Sequence, residues 1–251
     1  QPDDPEAPVM TSSAFDVSGK RVTVAGAARS GLAAADLLAR RGARVTVSDV
    51  RPTVSGSEAL TDLGVTLELG GHRRETFVEA DLVVVSPGVP PEQPDVAAAR
   101  ARGVPVFGEV ELASRWLRGR VIAITGTKGK STTAELTGRM LEAAGFRVTV
   151  GGNTGVPLST QVAGSTPDTL HVVEVSSFQL EQIDGFHPWI AVMLNLSADH
   201  LDSPRHVLQG DDRHRIPAGE GIDALGEQRH AHLRRGGDVC SATRWMHPSA
   251  S

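Results

Sequence analysis

The strongest chemical signal in the sequence is a glycine turn that leads from an apolar run into a stretch opening with Lys-Ser-Thr. The apolar run occupies residues 121–124, and the motif G-T-K-G-K-S-T follows at 126–132. Glycines allow backbone N–H groups to converge on a phosphate, and the N-terminus of the next helix adds partial positive charge. Lys130 is suited to bridging the β- and γ-phosphates of a nucleoside triphosphate, and the Ser131 hydroxyl is suited to binding magnesium.

This turn is a shortened P-loop, because Ile124 stands where the usual motif has its first glycine, five residues before the Gly-Lys pair. A plain glycine turn would explain the glycines but not the Lys-Ser-Thr sequence at the start of a helix. We therefore predict nucleotide binding by the residues of the loop and the first helical turn: Gly126, Thr127, Lys128, Gly129, Lys130, Ser131, Thr132 and Thr133.

A second glycine turn, at residues 26–31, gives a weaker signal. It follows an apolar run, and Asp49 ends the next run about 20 residues later, where a dinucleotide-binding fold contacts ribose. The expected middle glycine is Ala28, whose methyl group would meet a pyrophosphate that crosses the turn. NAD binding is therefore disfavoured.

The elements that would position both turns alternate between short β-branched runs and Ala/Leu-rich helical stretches. This pattern predicts βαβ units on parallel sheets. The predicted strands are 21–25, 44–48, 65–69, 81–85, 104–106, 121–124, 146–150, 170–175 and 189–194, and the clearest helices are 32–40, 96–102 and about 130–144. We predict an α/β fold with a Rossmann-like domain at 19–118 and a second, ATP-binding α/β domain at 119–202.

The two ends of the chain lack this alternation. We predict that residues 1–18 are a disordered tail and that residues 203–251 are an anomalous segment without regular structure. In 203–251 no apolar period of 2 or 3.6 persists, and five of the histidines are concentrated there. A disordered tail and the product of a shifted reading frame in a GC-rich gene are both consistent with this composition.

Composition excludes several classes of protein. With 25 basic and 30 acidic side chains the net charge is −5, which disfavours a nucleic-acid surface. One cysteine permits no internal disulfide and fits a reducing compartment. No apolar run approaches the roughly 20 residues of a membrane helix, and the acidic start does not resemble a secretory signal. We expect a soluble cytoplasmic protein with no membrane or nucleic-acid partner.

Several ordered motifs together resemble the Mur ligase family, the ATP-dependent amide ligases that build the peptide stem of peptidoglycan. The shortened loop is joined by S-P-G-V at 86–89, G-E-V-E-L at 108–112, G-G-N-T-G at 151–155, V-E-V-S-S-F-Q-L-E at 173–181 and N-L-S-A-D-H-L-D at 195–202. The segment at 173–181 is similar to the signature of the family branch that adds D-glutamate. The resemblance runs from about residue 20 to residue 202.

The resemblance implies a reaction and a set of site residues. ATP, with Mg²⁺, would phosphorylate the carboxylate of UDP-N-acetylmuramoyl-L-alanine, and the amine of D-glutamate would attack the resulting acyl phosphate. Lys130, Glu174 and His200 are the implied catalytic residues, and Ser131, Glu174 and His200 the implied magnesium ligands. A monomer is expected.

The resemblance also implies a set of residues that bind the UDP substrate. They lie in the first glycine turn, at the ends of two strands and beside the metal, and the set is Ala27, Ala28, Arg29, Ser30, Gly31, Asp49, Arg51, Ser86, Pro87, Gly88 and Asn153. The alternative is that these are ordinary turns, since open α/β sheets carry loops at the carboxyl ends of their strands.

The sequence departs from the family in three respects. The family has three domains, the ATPase domain here is about half the usual length, and no lysine follows Lys130, although the family uses a carbamylated lysine to bridge two magnesium ions. We therefore expect the C-terminal ligase domain to be absent and this polypeptide to be inactive as a ligase. The alternatives are a non-catalytic nucleotide- or UDP-sugar-binding remnant, or another Mur-type ligase such as folylpolyglutamate synthetase.

Overall fold

The structure is a computed structural model that describes residues 15–90 and 92–197, together with the backbone of two short strands at 232–235 and 238–241. The residues up to 197 form two parallel sheets, one after the other along the chain. The predicted α/β fold class is confirmed. The proposed boundaries at residues 18, 118 and 202 stay predictions.

The first sheet is a doubly wound parallel sheet with the strand order β3-β2-β1-β4-β5. This is the strand order of a Rossmann half, β3-β2-β1, followed by two further strands, β4 and β5, on the other side of the switch point between β1 and β4. Its strands are β1 (Arg21–Ala25), β2 (Arg44–Asp49), β3 (Thr66–Leu69), β4 (Leu82–Val85) and β5 (Val106–Gly108), and its helices are α1 (Arg29–Arg40), α2 (Glu58–Asp62), α3 (Arg74–Val78), α4 (Pro94–Ala101) and α5 (Glu109–Ser114).

The second sheet is also parallel and has the order β7-β8-β6-β9. Its strands are β6 (Arg120–Thr125), β7 (Arg147–Gly152), β8 (Thr169–Glu174) and β9 (Ile190–Met193), and its helices are α6 (Lys130–Ala143), α7 (Leu158–Gln161) and α8 (Ser177–Leu180). Strand β6 lies between β8 and β9, so the loop that follows it opens at the middle of the carboxyl edge.

The two sheets are joined by one continuous apolar core. Val24 and Leu112 of the first unit and Leu158, Val173 and Phe186 of the second belong to the same cluster of buried side chains, which we call the shared core. Burying apolar area contributes roughly 25 cal/mol per Å². The two units are therefore stabilised by the same contacts and are not independent bodies tied by a linker.

Two buried glutamates of α5 fasten the second unit to the first. Glu111 is 0% exposed, and its Oε2 accepts hydrogen bonds from the N–H groups of Asp184 (3.0 Å), Gly185 (2.7 Å) and Phe186 (2.7 Å). Its other oxygen forms an ion pair with Arg115. Glu109 accepts from the N–H of Ser159 at 2.6 Å, and burial raises its pKa.

A buried histidine supports the connection between the two units. His171 is 0% exposed, and its Nε2 lies 2.8 Å from Ser165 Oγ, which accepts from the N–H groups of Arg118 and Gly119. Ser165 must therefore donate its own proton to Nε2, so this nitrogen is unprotonated. Burial lowers the pKa of His171 to about 4, in agreement with a neutral ring.

The described strands near the C-terminus form an antiparallel pair, β10 (His232–Arg235) with β11 (Asp238–Ser241). They lie within the segment for which the sequence predicted no regular structure. No helix in the described part of the chain combines the length and the apolar character needed to cross a bilayer.

Candidate functional site

The phosphate loop lies where the sequence predicts it, between the end of β6 and the start of α6. Gly126 and Gly129 have φ values of 140° and 86°, which ordinary residues rarely adopt. A Cβ on Gly126 would lie 3.1 Å from the carbonyl oxygen of Asn195, so this position has little space for a side chain. The loop thus exposes backbone N–H groups at the N-terminus of a helix of 14 residues, which is a suitable arrangement for an anion.

Lys130 turns back onto the loop that precedes it. Its ammonium donates to the carbonyl oxygens of Gly126 (2.8 Å) and Thr127 (3.2 Å). The side chain therefore lies within the loop itself, as its predicted contact with phosphates requires. Ser131, Thr132 and Thr133 follow in the first turn of α6, where Ser131 and Thr132 are exposed.

Asn195 contacts the phosphate loop, although it was not among the predicted site residues. In the sequence it is the first residue of the motif N-L-S-A-D-H-L-D at 195–202. Its side-chain Oδ1 accepts from Lys128 N at 3.0 Å, and its Nδ2 donates to Lys128 O at 2.8 Å. Its backbone carbonyl accepts from Thr127 N at 3.1 Å. The position of an asparagine just after β9 was the only signal in the sequence, and this signal becomes informative once β9 is known to lie beside β6.

Glu174 ends β8 and lies next to the loop in the sheet. It pairs in register with Ile124 on one side and with Gly152 on the other, so its backbone lies between the strand that leads into the phosphate loop and the strand that leads to Asn153. Glu174 is 3% exposed, and Asn153 Nδ2 donates to its Oε1 at 3.3 Å. This bond is long for a charged acceptor. A buried carboxylate with so weak a partner favours a nearby cation.

The structure describes two of the three predicted magnesium ligands. Ser131 and Glu174 lie at the same edge of the second sheet, whereas His200 lies outside the described residues. Across residues 15–90 and 92–197, no group of three or more His, Cys, Asp or Glu is arranged to hold a metal ion. The donor set that remains is a carboxylate and a hydroxyl, and hard oxygen donors of this kind suit Mg²⁺.

The first glycine turn is held together by Asp49 at the end of β2. The Asp49 carboxylate accepts from the N–H of Ala27 (2.6 Å) and from the Nε of Arg51 (2.9 Å). Hydrogen bonds from Arg51 and the backbone hold the pKa of the Asp49 carboxyl well below its usual range, although burial opposes this. Asp49 is thus enclosed, whereas Arg51 is half exposed. Of these two predicted substrate residues, Arg51 is the one available to a ligand.

The other predicted residues of the first unit divide in the same way. Ser86 is buried, and its hydroxyl donates to the carbonyl of Gly26 at 2.8 Å, so it braces the turn. Gly31 is also buried against Ser86. Ala28, Arg29 and Gly88 are exposed, Ser30 and Pro87 are half-buried, and Ala27 is buried. The guanidinium of Arg29 also reaches across to the carbonyl of Gly155, beside Asn153.

Two family models match the chain along most of its described length. The model "Mur ligase MurD-like, N-terminal domain" matches residues 20–108, and "Mur ligase middle domain" matches residues 124–207. Together they span well over half of the chain. The chain belongs to the Mur ligase family. In this family context the phosphate loop, Glu174 and Asn153 fall in the middle domain, and Asp49 and Arg51 in the N-terminal one.

Curated relatives agree with this assignment. The chain is 50% identical over 191 residues to the UDP-N-acetylmuramoylalanine--D-glutamate ligase of Acidobacterium capsulatum, covering 75% of this chain and 41% of that protein. It is 54% identical over 190 residues to the ligase of the same name from Anaeromyxobacter dehalogenans, covering 74% and 41%. The chain therefore spans about two fifths of the length of these relatives.

Among solved structures, the chain is similar to the UDP-N-acetylmuramate:L-alanyl-gamma-D-glutamyl-meso-diaminopimelate ligase (MPL) from Neisseria meningitides. The identity is 23% and the TM-score 0.49, over 74% of this chain and 63% of that chain. The family assignment rests on the sequence matches and does not use this likeness.

Proposed function

We propose that this chain is the substrate- and ATP-binding part of a ligase that adds D-glutamate to UDP-N-acetylmuramoyl-L-alanine in peptidoglycan precursor synthesis. The relatives that carry this activity in their names are 50% and 54% identical to the chain. The observation that carries the proposal is the register of β6 with β8, which sets the buried Glu174 beside Ile124 and the phosphate loop.

Each part of the site has a role in this proposal. Lys130, now held by the loop carbonyls, moves to the phosphates of ATP, and the loop N–H groups bind them. Glu174 and Ser131, together with His200, would hold Mg²⁺. When bound, the ion neutralises charge that develops on the transferred phosphoryl group. Asn153 lies beside Glu174 and would orient the acyl end of the UDP substrate.

The first unit would bind the UDP part of the substrate. Arg51 is an exposed cation beside the turn, and Asp49 fixes its direction through two hydrogen bonds. The helix N-terminus of α1 has no side-chain cap, so its N–H groups face the same turn. We propose Arg51 and this helix end as contacts of the diphosphate, with Ser86 and Asp49 as their supports. We propose that the chain acts in the cytoplasm, where a soluble UDP substrate is supplied. We also propose that it acts as a monomer, without a nucleic-acid or membrane partner.

Calorimetry with MgATP and with UDP-N-acetylmuramoyl-L-alanine tests the proposal. Wild-type chain should bind both ligands. Lys130→Ala should lose ATP binding by at least about tenfold, because a charge-assisted contact contributes roughly 1.5–3 kcal/mol, and should still bind the UDP substrate. Lys20→Ala is the matched control, since it removes an exposed lysine outside the loop. An absence of heat with both ligands at millimolar concentration would exclude the proposal.

A second candidate is that a polypeptide of these 251 residues binds its ligands but does not complete the ligation. The observation that favours it is the absence of any lysine after Lys130. Loss of a positioning group can forfeit roughly 7–11 kcal/mol of barrier reduction, which is at least about five orders of magnitude in rate. Chromatography of the UDP product after incubation with ATP, Mg²⁺ and D-glutamate tests the second candidate. Turnover of about 1 s⁻¹ would reject the second candidate.

A further inference from the structure

We propose that Asn195 is a positioning residue that keeps the phosphate loop in its nucleotide-binding shape. This inference rests on the proposed function of the loop and extends it to a residue on a neighbouring strand. It concerns three hydrogen bonds, which we call the Asn195 clamp. Two join the Asn195 side chain to the N–H and the carbonyl of Lys128, and in the third the N–H of Thr127 donates to the Asn195 carbonyl.

The clamp continues a sheet ladder beyond the end of the regular strands. Strands β6 and β9 pair from Ile122 with Ile190 to Thr125 with Met193, and the N–H of Leu194 then donates to Thr125 O at 3.0 Å. The next bond along the two segments joins Thr127 N to Asn195 O at 3.1 Å. The Asn195 side chain then bonds both backbone groups of Lys128, because its amide offers one acceptor and one donor.

Lys130 explains why the clamp matters for ligand binding. The ammonium of Lys130 satisfies the carbonyls of Gly126 and Thr127. Once Lys130 moves to a bound phosphate, these two bonds are given up. The bonds from Asn195 to Thr127 and Lys128 are independent of that movement, so they can hold the loop both before and after the nucleotide binds.

A neighbouring contact reinforces the clamp and extends it along the chain. Thr127 Oγ1 accepts from the N–H of Ser197 at 3.0 Å and lies 3.2 Å from the Ser197 carbonyl. These contacts use only the backbone of Ser197. They attach the segment that precedes the Asp-His motif directly to the loop, so displacement of one will displace the other.

The first test combines amide exchange with ATP affinity in the full chain. In Asn195→Ala, the N–H of Lys128 should exchange at least about threefold faster by NMR without nucleotide, since its acceptor is gone. The dissociation constant for MgATP should rise about tenfold, because roughly two hydrogen bonds no longer order the loop. Leu196→Ala is the matched control, as it shortens the adjacent, half-exposed side chain.

A second variant distinguishes the clamp from a general loss of stability. In Asn195→Asp the ionised carboxylate can still accept from the Lys128 N–H, but it offers no donor to the Lys128 carbonyl. The Lys128 amide should therefore stay protected in Asn195→Asp and lose protection in Asn195→Ala, while the dissociation constant for MgATP rises in both variants. A general loss of stability would instead speed exchange of this amide in both variants.

The outcomes separate the inference from the function on which it rests. Wild-type chain that fails to bind MgATP would overturn the proposed function, and the inference with it. Wild-type binding with an unchanged affinity in Asn195→Ala would overturn the inference alone. The same conclusion would follow if the Lys128 amide exchanged equally fast in Asn195→Asp and in Asn195→Ala.

Discussion

Replacing Glu111 with glutamine should uncouple the two units of the fold, because this carboxylate is the most heavily bonded group between them. Glu111 Oε2 accepts three backbone N–H groups from residues 184–186, and its other oxygen pairs with Arg115. An amide has one oxygen and one NH₂ group. In one orientation of Glu111→Gln the new NH₂ group faces the three backbone N–H groups, and in the other it faces the Arg115 guanidinium. In both cases a donor faces a donor.

The expected loss of stability follows from the burial of this ion pair. Glu111 is 0% exposed and the Arg115 side chain 20%. Removing one partner of a buried ion pair destabilises the fold by roughly 3–5 kcal/mol. Because Arg115 is partly exposed, we expect the loss for Glu111→Gln at the lower end of this range, about 3 kcal/mol. With a urea m-value of about 2 kcal/mol/M for a fold of this size, the midpoint of unfolding should fall by about 1.5 M.

Urea unfolding followed by far-UV circular dichroism measures this shift. The chain supplies a matched control in Glu135, which forms the same i,i+4 pair with Arg139 on the exposed face of α6. An exposed pair contributes roughly 0–1 kcal/mol, so Glu135→Gln should move the midpoint by less than about 0.5 M.

A midpoint for Glu111→Gln within about 0.5 M of wild type would refute this reasoning. It would mean that the shared core alone couples the two units and that the buried carboxylate contributes little net free energy. A shift of equal size in Glu135→Gln would likewise contradict the argument, because burial would then not distinguish the two pairs.

Three further predictions concern other parts of the structure. Because burial lowers the pKa of His171 from about 6.5 to about 4, stability should be lost as the pH falls from 6.5 through 4, by roughly 2–3 kcal/mol at about pH 4.5; urea midpoints for wild type and His171→Gln should converge accordingly at low pH. Gly126→Ala should weaken MgATP binding at least about tenfold by calorimetry, since its Cβ would meet Asn195, whereas Gly145→Ala, where φ is also positive but the space is open, should leave the affinity unchanged. Asp49→Asn should weaken binding of the UDP substrate roughly tenfold through misdirection of Arg51, with MgATP binding preserved.

Much of the fold follows from the sequence because most of its strands are short runs rich in β-branched residues that alternate with helical stretches. Strand β1 was predicted at its observed bounds, and α6 to within one residue at its C-terminus. The short helices α2, α3, α7 and α8 have only four or five residues, too few for a 3.6-residue period to be visible. Strand β5 lies two residues later than predicted, because Pro105 has no N–H and the ladder begins at Val106.

The site divides between what spacing reveals and what only packing reveals. The phosphate loop and Glu174 are visible in the sequence because the chemistry is carried by adjacent residues and by the end of a strand. Asn195 is separated from Lys128 by 67 positions, and only the sheet order β6-β9 brings the two together. The inward direction of Ser86 and the enclosure of Asp49 depend equally on tertiary contacts. The roles predicted for these residues, and for His200, stay predictions.

The shared core also bears on the entropy of bringing two ligands together. Because the turn around Asp49 and the loop around Lys130 belong to units that pack against the same buried side chains, the separation of the two sites is fixed when the chain folds. Folding therefore already fixes the relative position of the two proposed sites, and less translational and rotational entropy is lost when the two ligands are aligned. This corresponds to a high effective concentration of one ligand at the other. A variant that separates the units, such as Glu111→Gln, would lower that effective concentration while leaving each individual affinity intact.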